Sequence, residues 1–376
     1  MIIYLLVLFL ILFAVYDVDI KKRVKDKDPL FIIILFALIL VTGLQWRMGG
    51  DNLFYEEYYK DIPTFENLRI DELQLGIRLQ PLWYVFCSLL KSVTDSFVFF
   101  HIIHSIIINT IILVFIKRNT DYVFTTVLFY VLSFNYFYFN IEIQRESLAV
   151  VCFLCGLKYL KSFCVSNVIK YYVFAIIAFL FHASAVFCLL IPLFSFLLRR
   201  AKSFLQALIM LLGMLVILII ISQSFTSITG LSGVEGEVFS QAEYYFMLDK
   251  NFQNILINAI FEVMPIVIVL YLVFSKKNQF VIDLSLLSIV MILFVVNLGS
   301  AYFTGLSRIE NYLIIPFFVV LSDTLYNIKG KKYLKQLCLC LLLVSFIYQE
   351  TRPVSFLRKG DKHYNMYIPY RSVFDE

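Results

Sequence analysis

Long stretches without charge decide what this chain can become. Residues 203–222 carry no ionisable side chain, and residues 280–299 carry only Asp283. A helix needs about 20 consecutive apolar residues to cross the hydrocarbon core of a bilayer, and the chain meets that need repeatedly. Candidate spans are 1–16, 29–46, 97–116, 122–140, 146–161, 170–182, 184–198, 203–222, 253–274, 280–299, 311–327 and 334–349. An open sheet would leave backbone groups unpaired in lipid, and no alternation suggests a barrel, so each span must be a helix. The expected fold class is an all-α polytopic membrane protein with about twelve transmembrane helices. A single transmembrane domain covers 1–350, with outer loops at 47–96 and 223–252, and 351–376 is a polar C-terminal tail. Hydrophobic residues are 61% of the chain, and no polar stretch is long enough to bury a core of its own.

Lysine and arginine set the orientation. The loop 17–28 carries Lys21, Lys22, Arg23, Lys25 and Lys27. Further basic clusters follow the third, fifth, seventh, ninth and eleventh spans, among them Lys117 with Arg118, Arg199 with Arg200, and Lys331 with Lys332. All fall on one side, the cytoplasm, provided that 79–95 lies at the interface instead of crossing and that 170–198 turns a hairpin at Phe181-His182-Ala183-Ser184. The opposite loops are acidic. The start, MIIYLLVLFLILFAVYDVD, lacks a basic n-region and a small-residue cleavage site and reads as a retained first span. Seven cysteines, an odd number mostly inside apolar runs, argue against a disulfide framework. Cys152-x-x-Cys155 has no second Cys or His pair and reads as packing thiols.

Charge beside such spans is costly and is functional by default. Gln45-Trp46-Arg47-Met48-Gly49-Gly50-Asp51 ends the second span. Its two glycines permit a tight turn and close approach of a ligand to backbone N–H groups. Arg47 offers a planar fork for phosphate oxygens, Asp51 can take or orient a sugar hydroxyl, and Tyr55, Tyr58 and Tyr59 offer faces for sugar rings. The bland alternative is a snorkelling arginine in an aromatic belt. Arg145 opens the fifth helix, where free N–H groups attract anions. Glu142 and Glu146 flank it at helical spacing, so simple pairing with them stands beside a substrate role. His182 sits at an outer turn, where proton transfer stands beside a structural role. His101 and His104 share one face of the third span, have no carboxylate neighbours in sequence, and read as structural or at most pore-lining. Arg308, with Glu310, opens the eleventh helix. Three arginines on one face suit a pyrophosphate. No metal motif and no nucleic-acid footprint is present, so no cofactor is expected.

At these residues the chain resembles the Wzy-type polysaccharide polymerases, in particular the EpsG-like branch. An arginine, glycine, acid and tyrosine after an early span are matched by Arg47, Gly49, Gly50, Asp51 and Tyr55. Arg145 with Leu148 and Ala149, Phe181 with His182 and Ser184, and Arg308 with Tyr312 match the later motifs in order. Two departures bear on the branch, and with it the linkage formed: Gly49-Gly50 stands where one spaced glycine is more usual, and Gln144 precedes the arginine where a polar residue more often follows. The resemblance implies a GT-C-like glycosyltransferase fold in the bacterial cytoplasmic membrane, with the active site on the extracytoplasmic side. It implies transfer of a glycan from undecaprenyl pyrophosphate to the non-reducing end of another lipid-linked repeat unit. In that reading Arg47, Arg145 and Arg308 bind pyrophosphate, and His182 or Asp51 activates the acceptor. Tyr55, Glu56, Glu146 and Tyr312 hold sugar. The expected partners are the undecaprenyl-pyrophosphate-linked oligosaccharide, membrane lipid and a chain-length regulator protein. A flippase for the same lipid-linked sugars and an O-antigen ligase-type transferase are the alternatives.

Overall fold

The computed structural model describes residues 2–69, 80–133, 135–200, 205–206, 209–214, 216, 259–275, 283–300, 306–351, 367 and 370–374. The outer loop 223–252 lies outside them. Every regular element among the described residues is helical. Three helices are long and apolar enough to cross a membrane, Ile2–Ile20, Phe97–Asn119 and Arg308–Asn327, and shorter apolar helices accompany them. The chain forms two compact units.

The first unit comprises Met1–Gly156, Tyr172–Val186 and Gln349–Glu376. It holds α1 (Ile2–Ala14, extended by a π turn over Val15–Ile20), α2 (Lys27–Gly43), α3 (Asn52–Asp61), α4 (Pro81–Val93), α5 (Phe97–Asn119), α6 (Val123–Leu132), the short α7 (Asn135–Phe137) and α8 (Gln144–Leu157). α2 and α5 run antiparallel. At one end Lys117 pairs with Asp28 at 2.7 Å. At the other a Cβ on Gly43 would lie 3.3 Å from the Ile102 Cα, so the missing side chain lets the two backbones approach. Between these ends a buried polar cluster bridges helices: Thr42 Oγ1 and Ser105 Oγ are 2.7 Å apart, and Asn109 Nδ2 donates to Asn140 Oδ1 at 2.9 Å. Such interhelical bonds contribute about 0.6 kcal/mol each in a membrane, so they set register more than stability. Asp19, below α1, accepts from Thr125 N (2.7 Å) and Thr125 Oγ1 (2.8 Å) and so caps the start of α6.

α4 has 13 residues. At 1.5 Å per residue it is about 20 Å long, short of a hydrocarbon core of about 30 Å. Pro81 starts it without sacrificing an intrahelical bond. Its inward face, Trp83, Tyr84, Cys87 and Ser88, is buried, and Lys91 Nζ donates to the carbonyls of Tyr59 (3.0 Å) and Lys60 (2.5 Å) at the end of α3.

The second unit comprises Leu157–Tyr171 and Phe187–Tyr348. α9 (Val165–Phe181) starts in this unit and, from Tyr172, runs in the first; it ends at His182, a 3-10 stretch follows over Ala183–Leu190, returning to the second unit at Phe187, and α10 (Ile191–Leu198) continues it. The Tyr171 hydroxyl donates to the Cys188 carbonyl at 2.7 Å. Seventeen residues of straight helix would separate these positions by about 26 Å, so the chain doubles back between them, as the hairpin expected at 181–184 does. α11 (Met264–Ser275), α12 (Leu284–Ser300), α13 (Ser307–Asn327) and α14 (Lys332–Thr351) complete the unit. Ser195 Oγ lies 2.6 Å from Ser288 Oγ, joining α10 to α12. Groups that loop charge assigns to one face meet here: Arg199 donates to the carbonyls of Leu160 and Lys161, Lys161 pairs with Asp283 (3.1 Å), and Lys331 Nζ reaches Tyr271 Oη (3.3 Å).

Candidate functional site

The segment after α2 folds into a compact turn because several side chains tie it from inside. Gln45 is 2% exposed. Its Oε1 accepts from Met48 N at 3.1 Å, and its Nε2 lies 3.3 Å from His101 Nε2. The same His101 nitrogen is 3.0 Å from Asn52 Oδ1, and Asn52 Nδ2 donates to the Met48 carbonyl at 3.0 Å. Arg47 and Gly49 both adopt positive φ, 47° and 84°. Arg47 therefore holds a conformation that favours glycine.

The turn's amides point at an anion supplied by the chain itself. Gly50 N–H donates to Glu142 Oε1 at 2.6 Å, and Asp51 N–H donates to Glu142 Oε2 at 3.0 Å. A Cβ on Gly49 would stand 2.5 Å from both Glu142 Oε1 and Ile141 Cγ2, which explains the first glycine twice over. Sequence reasoning offered these N–H groups to a ligand; the structure gives them to Glu142. Burial pushes the Glu142 carboxyl above the usual range, with Asp51 adding to the rise and the bonds from Gly50, Asp51 and Tyr367 opposing it.

Arg47 is half-exposed and ion-paired. Its Nε and Nη2 donate to Glu56 at 3.3 and 3.4 Å, Lys60 Nζ donates to the same carboxylate at 2.9 Å, and the guanidinium lies over the Trp46 ring. Burial alone would raise the Glu56 pKa, but the bonds from Lys60 and Arg47 outweigh it and hold the group low.

Arg145 is arranged differently. A π turn over Tyr138–Glu142 ends at Ile143, and α8 starts at Gln144. His104, one turn along α5 from His101, fixes this start: its Nε2 lies 3.1 Å from both the Gln144 carbonyl and Ser147 Oγ. Arg145 is half-buried, and its guanidinium sits 5.7 Å from the centroid of the Tyr55 ring. Its Nε is buried without a hydrogen-bond partner, and among the described residues no carboxylate lies within ion-pairing distance of it. Tyr55 also packs edge-on against Trp83 at 5.6 Å. The Tyr58 hydroxyl and the Trp83 indole N–H are two further buried donors without a protein partner. Glu146 is 1% exposed.

His182 stands at the break after α9, and its Nδ1 lies 2.6 Å from Ser184 Oγ. With its amide oriented to match its neighbours, Gln80 donates to the Phe181 carbonyl and accepts from Ala183 N at 3.1 Å, gripping the backbone on either side of the histidine. Phe181 in turn meets Phe86 of α4 edge-on. The first unit thus carries Arg47, Asp51, Tyr55, Glu56, Arg145, Glu146 and His182. Arg308 and Tyr312 open α13 in the second unit, Arg308 half-buried and Tyr312 1% exposed. Gln45, Asn52, Gln80, Glu142 and Tyr367 were not singled out from sequence as shapers of the site. For Gln45, Asn52, Gln80 and Glu142 the one available signal was their polarity between oily segments; for Tyr367 there was none.

These features define a helical membrane protein that presents an unpaired arginine beside aromatic side chains at a helix start. The profile of the EpsG family matches residues 29–372, nearly the whole chain, and the chain belongs to the EpsG family. Membership points to a polysaccharide polymerase, a glycosyltransferase-like role. A search of curated proteins and a search of solved structures each gave no match.

Proposed function

We propose that this protein polymerises a polysaccharide at the outer face of the bacterial cytoplasmic membrane. It transfers the growing glycan from undecaprenyl pyrophosphate to the non-reducing end of the next lipid-linked repeat unit. The reading includes twelve membrane crossings and a GT-C-like fold, with membrane lipid around it and a chain-length regulator as a further partner.

One observation carries it: Arg145 holds a buried guanidinium edge without an acid partner, although Glu142 lies three residues away. A cation kept unpaired in a poorly hydrated setting suits an anionic ligand. In this reaction negative charge collects on the departing pyrophosphate, and a preorganised donor aimed at that charge lowers the barrier. Arg47, partly neutralised by Glu56, contributes less directly. Arg308 enters on sequence grounds as a third pyrophosphate ligand, with Tyr312 and Glu146 for sugar. Tyr55 gives a ring face beside Arg145 for the first sugar. His182, oriented by Ser184, takes the acceptor hydroxyl proton, with Asp51 as the other base candidate.

The test is purified protein in proteoliposomes with synthetic lipid-linked repeat units. Chain lengthening on a gel is expected, and Arg145→Ala abolishes it with protein still in the membrane. Sugar movement across the bilayer without lengthening would replace this reading with a flippase, and transfer to a different lipid anchor with a ligase.

A further inference from the structure

The last described residues do not trail away. They lie on the Arg47 turn. Trp46 N donates to the Arg371 carbonyl at 3.0 Å and Val373 N to the Leu44 carbonyl at 3.0 Å, with Gln45 and Ser372 paired as an isolated antiparallel bridge. Arg371 N meets Met48 Sδ at 3.3 Å. Tyr367 is 4% exposed. Its ring stacks on Phe137 at 4.9 Å, its carbonyl accepts from the Tyr4 hydroxyl at 2.7 Å, and Met48, Ile141 and Tyr367 form one buried cluster. Its hydroxyl donates to Glu142 Oε1 at 3.2 Å. Glu142 thus has three donors: two amides of the turn and one phenol from a segment 225 residues away. The family match also runs on to residue 372, past α14 and through this segment.

We propose that Tyr367 and residues 370–373 are a working part of the anion site, with Tyr367 as a positioning residue that holds Glu142 on the 50–51 turn and so keeps Arg145 unpaired. Glu146 follows Arg145 directly, but adjacent residues of a helix do not face each other. Glu142 is the nearest acid on the N-terminal side, and a carboxylate released from the turn has a cation three residues away to neutralise. Each donor that fixes Glu142 preserves the charge of Arg145 for a phosphate. The segment therefore acts on ligand binding through Glu142 without touching the ligand. This rests on the reading of Arg145 as a pyrophosphate ligand.

Tyr367→Phe deletes the hydroxyl and keeps the stacked ring, so the packing survives. Three measurements on the full chain in proteoliposomes test the proposal. A disulfide should form on oxidation of Gln45→Cys/Ser372→Cys; failure to form one overturns the docking and the proposal with it. Inorganic pyrophosphate, followed by tryptophan fluorescence, should bind Tyr367→Phe about tenfold more weakly than wild type, the loss expected for one hydrogen bond to a charged group. The KM for the lipid-linked donor should rise similarly while kcat stays within about twofold. Unchanged pyrophosphate affinity overturns the proposal and leaves the polymerase reading standing if Arg145→Ala is inactive. Pyrophosphate binding that weakens as expected in a protein that never lengthens chains supports the proposal and sinks the polymerase. A wild type that binds no pyrophosphate overturns both.

Discussion

The turn at residues 45–52 and the helix start at 140–147 each present one arginine, yet the two are held in opposite ways. Arg47 is bound to Glu56, shares it with Lys60, and its side chain is 49% exposed. Arg145 has a buried, unpartnered Nε and an aromatic ring for a neighbour. Arg47, half in water and already neutralised by the buried Glu56, has little to gain from an added anion, whereas a guanidinium without an acid partner gains most when one arrives. In the proposed function, similar residues in similar motifs therefore divide the labour: Arg47 mainly shapes the turn, and Arg145 is the one proposed to grip the ligand.

Chain lengthening should break or sharpen that division. The largest loss is expected for Arg145→Ala, about 100-fold to 1,000-fold in turnover, and Arg145→Lys should not restore it because an ammonium lacks the planar fork. Wild-type activity in Arg145→Ala would erase the contrast. Gly49→Ala comes next: its φ of 84° and the Glu142 oxygen 2.5 Å from the new Cβ both oppose the substitution. The backbone strain costs about 1–3 kcal/mol, seen as a lower Tm in detergent, and activity should fall about tenfold to a hundredfold as Glu142 shifts. Arg47→Ala should cost about tenfold, about 1.4 kcal/mol; a loss matching that of Arg145→Ala would make the two arginines equals. The smallest effect is on acid stability. The Glu56 pKa is lowered in the fold from 4.5, so its contribution is complete above 4.5 and fades as pH falls through the lower folded value. Glu56→Gln should lower the neutral plateau of a Tm-against-pH curve slightly and flatten its acid limb, so that variant and wild type converge below the folded pKa.

Hydropathy is a one-dimensional property, and so the oily helices and the doubling back near His182 could be read from the chain, whereas whether 79–95 crosses could not. The pairing of Glu142 with Arg145 could not be judged that way. Their spacing suggests neighbours on one helix, but the π turn ends at Ile143, whose φ of −108° and ψ of 50° break the helix between them. Glu142 is thereby free to face the glycine turn. The histidines of α5 could be read as structural because no carboxylate neighbours them in sequence, but not which loops they hold. Tyr367 was beyond reach: its partner is set by tertiary folding across most of the chain, and no local pattern encodes it.

His101 and His104 fasten the two arginine motifs to one helix, one histidine for each. Three residues of α-helix separate them by about 4.5 Å of rise, which makes α5 a ruler between the motifs. Inserting a single residue between them would rotate one histidine by about 100° relative to the other and strip one motif of its anchor. This helix can therefore exchange its lipid-facing side chains freely, but the number of residues between its two histidines is fixed.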